Sequence, residues 1–541
     1  MAMARRYLAI HFPHLPTDRI ARLRYGNAWR LGVIGVPTQP GKHNAPLVIT
    51  ARINNALRLL YLNEAAETLG LVPGMGLADA KAAHPHIEVL QQEENADALL
   101  LRAIADWCDC YTPLVAIDQV APESFGLTLD ITGCAHLFGG ERNLMNHLLA
   151  RLYNLGFDAT ASIAHTPGAA WAFARYRLLK RDRTDSETVF DPCLARQALT
   201  TLPLAALRLA ADQVANLARL GLRTIGQLHN RPRAPIARRF GREVLLRLDQ
   251  AFGEIEEAIS PLRPIPELIS ERRFAEPLVR ETDIISATLR LAGHLCESLE
   301  KQGKGASRLQ LALYRIDGKV FRLDVGTSRP QRDPHLFARL FGERLTALKE
   351  EFDAGYGFEI LRLSALFCDS IGEKDVSFLE ADDNSNADHL VDRLAARLGE
   401  DCIFHTRLVN SHLPEQAECR VTVSANKATA VEPLSPLPGR IHQVPLRPLR
   451  LFAMPEPVEA IAEVPEGPPI RFRWRKVLHQ VTRVEGPERI MDHWWAKQAP
   501  RLTRDYFRVE DTMGHRYWLF REGLYDRETA APRWFLHGLF A

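Results

Sequence analysis

The sequence predicts an α+β, multidomain protein. Its 541 residues, 46% apolar and 25% charged, are more than one hydrophobic core accommodates. Short β-like runs alternate with helical segments in the N-terminal third, as in a layered sheet-and-helix domain. After the proline-rich stretch SPLRPIPE the order becomes strand, helix, strand, strand, helix, strand.

The N-terminal layer starts with a strand from Tyr7 to Phe12 and a proline-broken segment, PHLPTDRIARL. A second strand covers Pro46 to Ala51. Helical pieces follow, ending at Gly70 and restarting after Gly76, as glycine at helix ends favours. A long helix from Asp97 to Tyr111 leads into the hairpin-like LVAID...LTLDITG. The layer closes with the helix around GERNLMNHLLARLYN and the strand-to-helix segment ATASIAHTPGAAWAFARY. Leu202 to Gly253 is helical, and LARLGLRTIGQL has the form of a helix-hairpin-helix around Gly221. Such a turn either presents backbone N–H groups to a DNA phosphate or serves as a packing hairpin.

In the next unit, Leu309, Leu311 and Leu313 alternate on one strand and Phe321, Leu323 and Val325 on its partner, joined by Asp317-Gly318. Helical stripes run through Ile285, Leu289, Ala292, Cys296 and Leu299, and through Phe337, Phe341, Leu345 and Leu348. The result is a βαββαβ sandwich with one open sheet face. Arg308, Gln310, Lys319, Arg322, Arg329 and Arg332 fall on or near its hairpin, either as a basic surface along a duplex or as a solvated face. Gly372 to Ala387 reads as a polar loop, and Val431 to Pro469 as an extended proline-rich segment. From Arg471 the chain carries five of its eight tryptophans in a β-rich module. There, alternating arginines and aromatics either clamp nucleic acid or form the core and rim of a small sheet.

Composition excludes several classes. Lys+Arg number 68 against 66 Asp+Glu, so net charge does not announce a nucleic-acid binder and the distribution must carry that argument. Arginine far outnumbers lysine, which suits phosphate contacts but also follows from codon bias. The apolar run after the first residues is broken by Pro13 and Pro16, unlike a signal peptide, and no stretch approaches a membrane span. The eight cysteines are scattered. The closest pair, Cys108 and Cys110, lacks metal-ligand spacing, so they read as reduced thiols of a cytoplasmic protein.

GLVPGMGLADAKAAHP, LDITGCAHLFGG, SIAHTPGAAWAFAR and LGLRTIGQL, in this order, resemble the Y family of translesion DNA polymerases over about residues 5–415. RPLRLF, PEGPPIRFRW, GPERI, RDYFRVED, FREGLYDR and WFLHGLFA are similar to the tail of the ImuB branch of that family. The resemblance implies palm and fingers (1–185), a thumb with helix-hairpin-helix (186–260), a little finger (261–415), a proline-rich linker (416–470) and a C-terminal β-rich module (471–541).

Nucleotidyl transfer needs Mg²⁺ held by carboxylates. In active Y-family members one aspartate ends the first palm strand and an Asp-Glu pair sits in a SIDEAYLD-like hairpin. Here His11, Asp118 and Gln119 match those positions, and a proline-containing insertion separates the last two from Leu129-Asp130. Without a gap the pair falls on Phe125 and Gly126. The Tyr and Arg that grip the triphosphate are matched by Asn63 and Ala66, within Asn63-Glu64-Ala65-Ala66. The family's basic residue near SIAHTPG is absent, with His165 and Gly168 nearby.

The resemblance therefore implies a DNA-binding scaffold with no catalytic carboxylate set intact and no cofactor expected. It would act as an adaptor in damage-induced mutagenesis, joining a sliding clamp, an error-prone C-family polymerase and ImuA, a RecA-like partner. The alternative is an active low-fidelity DNA polymerase using Mg²⁺. The expected DNA contacts are Gly221, Arg223, Thr224, Gly226, Arg308, Lys319, Arg322 and Arg329, without sequence preference. The expected clamp peptide is Asp375-Val376-Ser377-Phe378-Leu379, with Gln443 and Leu446 of QVPL as the alternative.

Overall fold

The computed structural model describes residues 5–31, 45–118, 125–176, 189–348, 352–371, 381–409, 411–422, 447–491 and 502–540. The chain divides into two compact units, Met1–Arg397 and Leu398–Ala541.

The first unit begins with β1 (Tyr7–His11) and α1 (Leu15–Tyr25). The small fingers sheet follows, made of β2 (Leu47–Ile53), β3 (Ala56–Leu62) and, beyond α2 (Glu64–Thr68) and α3 (Leu77–Ala83), β4 (Glu88–Gln91). Its order is β3-β2-β4, with the β2–β4 pair parallel. The palm is completed by α4 (Glu94–Cys108), β5 (Val115–Ile117), β6 (Gly126–Asp130), α5 (Glu141–Asn154), β7 (Thr160–Ala164) and α6 (Pro167–Tyr176). The palm sheet runs β5-β6-β1-β7. Alternation splits β1 between two cores: Leu8 and Ile10 pack with α4 and α5, Tyr7 and Ala9 with α6 and the thumb.

The thumb is helical, with α7 (Pro192–Thr200), α8 (Ala211–Arg219), α9 (Ile225–His229), α10 (Arg233–Phe240) and α11 (Arg242–Phe252). The little finger comprises β8 (Leu268–Leu278), α12 (Glu281–Lys301), β9 (Lys304–Arg315), β10 (Val320–Gln331), α13 (Pro334–Ala347) and β11 (Phe358–Ser370). These make an antiparallel sheet of order β10-β9-β11-β8 with both helices on one face. Leu309, Leu311, Leu313, Leu323 and Val325 point into that core, as the alternation predicts. The buried stripe of α12 is centred on Ile284, Leu291, Leu295 and Leu299, a slight rotation from the expected one that leaves Leu289 half-buried. The open face is partly covered, because Ala312, Tyr314 and Ile360 join the palm core.

Two expectations are corrected. The polar stretch read as a loop is helical from Ala381, in α14 (Ala381–Leu398). The C-terminal module begins before Arg471. After the hairpin of β12 (Phe404–Leu408) and β13 (Glu418–Thr422), a strand placed within the expected linker, β14 (Arg450–Ala462), opens a closed barrel. The barrel continues through β15 (Pro469–Trp474), β16 (Val477–Ile490), β17 (Arg504–Asp511), β18 (Arg516–Glu522) and β19 (Arg533–Leu539). Proline-rich β14 is accommodated where its register with β19 shifts, between Leu451 and Glu456, so Pro455 sits where the ladder is already irregular. Phe472, Phe507, Val509, Tyr517, Leu519, Trp534 and Leu536 fill the core, the arrangement expected of a small sheet's interior.

Candidate functional site

The end of β1 faces the β5–β6 hairpin, and three polar side chains meet there. His11 pairs in register with Gly126 on one side and Thr160 on the other. Its Nδ1 lies 3.2 Å from the Phe125 carbonyl, so Nδ1–H donates and fixes the tautomer. Burial, and then the nearby Arg175 guanidinium, pushes the imidazole pKa down to about 3. His11 is therefore neutral at pH 7. Asp118 accepts from Thr128 Oγ1 at 3.0 Å and from Arg175 Nη2 at 2.9 Å. This ion pair is buried, with side chains 6% and 7% exposed, and the Arg175 guanidinium also stacks over Trp171. Gly126 makes the pair possible. A Cβ there would lie 2.3 Å from Asp118 Oδ2 and 2.4 Å from Arg175 Nη2.

These residues do not fit a divalent metal. His11 offers an imidazole where the resemblance expects an oxygen ligand, Asp118 already neutralises an internal cation, and Gln119 lies outside the described residues. Among the described residues no group of three or more His, Cys, Asp or Glu side chains could hold an ion. Arg175 was missed as a site residue. The signal was available, since it is the one charged side chain of PGAAWAFARY, a helix buried almost throughout.

The corner between α1 and α2, where the resemblance implies a triphosphate, is also internally paired. Asn63 caps α2: its Oδ1 accepts from the Ala66 and Leu47 N–H groups at 2.9 and 3.0 Å, and its Nδ2 donates to the Ala45 carbonyl. Ala66 is in the fingers core. His14 lies 3.0 Å from Asp158 and 3.2 Å from Glu67. Burial opposes its charge, but hydrogen bonds to both carboxylates raise its pKa to about 9. Asp18 holds Arg30 at 2.6 Å, and burial lifts its pKa to about 6 against that attraction. Arg24 pairs with Glu88, and Glu64 lines the same small cavity. In this group Asp18, Asp158, Glu64, Glu67 and Glu88 outnumber His14, Arg24 and Arg30, a charge balance that repels a triphosphate.

The expected DNA contacts divide. Arg322 is not on an open surface. Its guanidinium lies 2.9 Å from Asp109 at the end of α4 and 3.1 Å from Gln310, with the side chain 10% exposed. Asp109 also accepts from Tyr314 at 3.0 Å, while Arg362 donates to the Asp109 carbonyl at 2.7 Å and ion-pairs with Glu271. On a face that also carries Gln310, Asp324 and Arg362, the Arg322 guanidinium finds its carboxylate, Asp109, in the palm, and this part of the face is closed over the pair. Arg308 is exposed. Lys319 lies over the Phe321 ring at 4.7 Å, and Arg329, 55% exposed, pairs with Asp388 at 2.8 Å.

In the thumb turn, Gly221 takes the left-handed conformation (φ +82°) that ends α8. The N–H groups beyond it are internally bonded. Arg223 and Thr224 donate to Gln227 Oε1, Gln227 donates to Thr224 Oγ1, and Ile225 donates to the Leu202 carbonyl. Gly226 packs on Thr200, whose carbonyl a Cβ would meet at 2.8 Å. The Arg223, Thr224, Ile225 and Gln227 N–H groups of this turn thus serve its internal packing. Asp375 to Leu379, Gln443 and Leu446 lie outside the described residues.

Palm, fingers, thumb and little finger in this chain order define a polymerase-like protein of the Y family. The impB/mucB/samB family model matches residues 38–175, and the model of that family's C-terminal domain matches residues 266–376. Protein ImuB of Caulobacter vibrioides is 39% identical over 484 residues, covering 87% of this chain and all of that protein. The chain belongs to the ImuB family of DNA-damage-related Y-family polymerase homologues. DNA polymerase IV of Salmonella typhimurium is 23% identical over 337 residues, 60% of this chain and 89% of that enzyme. Among solved structures, DinB from Sulfolobus solfataricus aligns with 12% identity and a TM-score of 0.36, over 67% of this chain and 99% of that one.

Proposed function

We propose that the chain is a catalytically silent Y-family homologue that binds DNA and acts as an adaptor in damage-induced mutagenesis. The observation that carries the reading is the buried Asp118–Arg175 pair. A guanidinium occupies the charge position where an active relative needs a metal, and removing it would strand a carboxylate in a dry site. The acidic surplus around His14 supports the same reading from the nucleotide side. The family supplies the rest of the proposal: the partners are a sliding clamp, an error-prone C-family polymerase and an ImuA-like RecA homologue, with Phe378-Leu379 or Gln443-Leu446 as the clamp peptide. Among the described residues no helix is long and apolar enough to cross a membrane.

Primer extension with Mg²⁺ and with Mn²⁺ tests the central claim. The expected result is no incorporation above a protein-free control, for the natural chain and for Asp118→Asn alike. Incorporation by the natural chain that disappears in Asp118→Asn would establish the active-polymerase alternative.

A further inference from the structure

The C-terminal barrel carries a charge asymmetry that none of the cleft arguments uses. Between Gly467 and Val484 the chain has five Lys or Arg residues and no Asp or Glu. These fall mainly on the β15–β16 hairpin. Phe472 turns into the barrel core, so Arg471 and Arg473 point outward, flanked in register by Gln480 and Leu478. The two-residue turn is Arg475-Lys476, and both residues have positive φ, 45° and 71°. Asn-Gly is the usual occupant of such a turn. Here two long cations stand where the backbone favours small residues.

The backbone of the hairpin tip lies beyond the ladders to its neighbours. Arg473 is the last β15 residue in register with β14, and Val481 is the first β16 residue in register with β17. Trp474 to Leu478 therefore extend past both ladders, and Val477 and Leu478 are each 57% exposed. Glu459 pairs with Arg473, and Glu456 with Arg475. Among the described residues Arg471 and Lys476 have no carboxylate at ion-pair distance, so the arm keeps a net positive charge.

We infer that this hairpin is a second DNA-binding arm that holds the phosphate backbone of a duplex without reading its sequence. The inference rests on the DNA-binding reading above and extends it to a surface outside the polymerase-like domains. A two-stranded β-ribbon is the right width for the major groove, and its outward side chains recur about every 6.7 Å. That spacing matches two base steps of about 3.4 Å along one strand. Val477 and Leu478 offer no hydrogen-bonding groups to base edges, which suits a ribbon held by its cationic contacts to phosphates. Trp474 donates its indole N–H to Glu456 at 2.7 Å, which ties the ring to the barrel and argues against a base-stacking platform for single strands.

The full chain is titrated against fluorescein-labelled duplex DNA over a series of salt concentrations. The natural chain is compared with Arg471→Gln/Arg473→Gln/Lys476→Gln and with Lys476→Glu, a change at an exposed turn that leaves the core untouched. Affinity is expected to fall about tenfold in the triple variant at 0.1 M salt, with the slope of log K against log[salt] reduced by about two to three. Lys476→Glu is expected to move both quantities in the same direction by a smaller amount. Unchanged affinity and slope in both variants, with the natural chain binding, would overturn the arm and leave the general reading standing. No salt-dependent binding by the natural chain would overturn the general reading itself. Equal competition by unlabelled single strands would overturn the choice of duplex. Loss of polyglutamate binding with DNA binding intact would reassign the arm to an acidic protein and overturn the proposal.

Discussion

In the palm cleft and on the β15–β16 arm the chain places arginine in opposite electrostatic settings. Arg175 is buried against Asp118, in space that Gly126 leaves open. Arg471 lies outward, with no carboxylate at ion-pair distance among the described residues. The first arginine has its counter-ion built into the fold, so its charge is spent on internal structure. The second keeps its field available to a partner. Arginine content alone therefore says little about nucleic-acid binding; the deciding question is whether the fold itself supplies the anion.

The strongest way to break this comparison is Arg175→Ala. If the guanidinium is the internal counter-ion of Asp118, the variant is expected to lose about 3–5 kcal/mol, because a buried carboxylate loses its partner. Replacing both residues with apolar ones, Asp118→Leu with Arg175→Met, is expected to recover most of that loss. Urea denaturation of the three proteins provides the check. A single variant as stable as the natural chain would mean that the pair carries no structural weight.

How far these features were legible depended on their range in sequence. The little-finger sheet was readable because period-two alternation at Leu309, Leu311 and Leu313 reports one buried face, and Asp317-Gly318 reports the turn. The placing of His11 at the end of β1 was readable because it ends a short, well-marked strand. The pairing of Arg322 with Asp109 was not, since 213 residues separate them and nothing local marks either as buried. The same holds for Asp118 and Arg175, 57 residues apart. β14 escaped because proline normally argues against a strand, and only the register shift with β19 shows how Pro455 is tolerated.

A smaller effect sharpens the cleft side of the comparison. His14 is held protonated by Asp158 and Glu67, with its pKa near 9 against 6.5 in its unperturbed state. A raised pKa in the folded state contributes stability that is complete below pH 6.5 and disappears as pH rises through about 9. His14→Gln is therefore expected to cost on the order of 2 kcal/mol at pH 6 and almost nothing extra above pH 9. Thermal unfolding of both proteins at pH 6, 7.5 and 9.5 measures the difference. A gap that widens with pH would show that the imidazole is neutral in the fold.

The smallest change in stability tests the little finger, where the two settings meet on one sheet. Arg322 resembles Arg175, being buried and paired, whereas Arg329 is more than half exposed and its partner Asp388 is itself near the surface. A pair of this kind contributes at most about 1 kcal/mol. Arg329→Gln should leave the denaturation midpoint nearly unchanged. If this end of the sheet holds a phosphate, the variant lowers the salt slope of duplex binding by about one. Binding releases Arg329 from a weak contact at little cost, whereas Arg322 would have to leave Asp109 in a closed interface. A slope unaffected by Arg329→Gln would assign Arg329, like Arg322, to the internal structure of the chain and leave DNA contact to other surfaces.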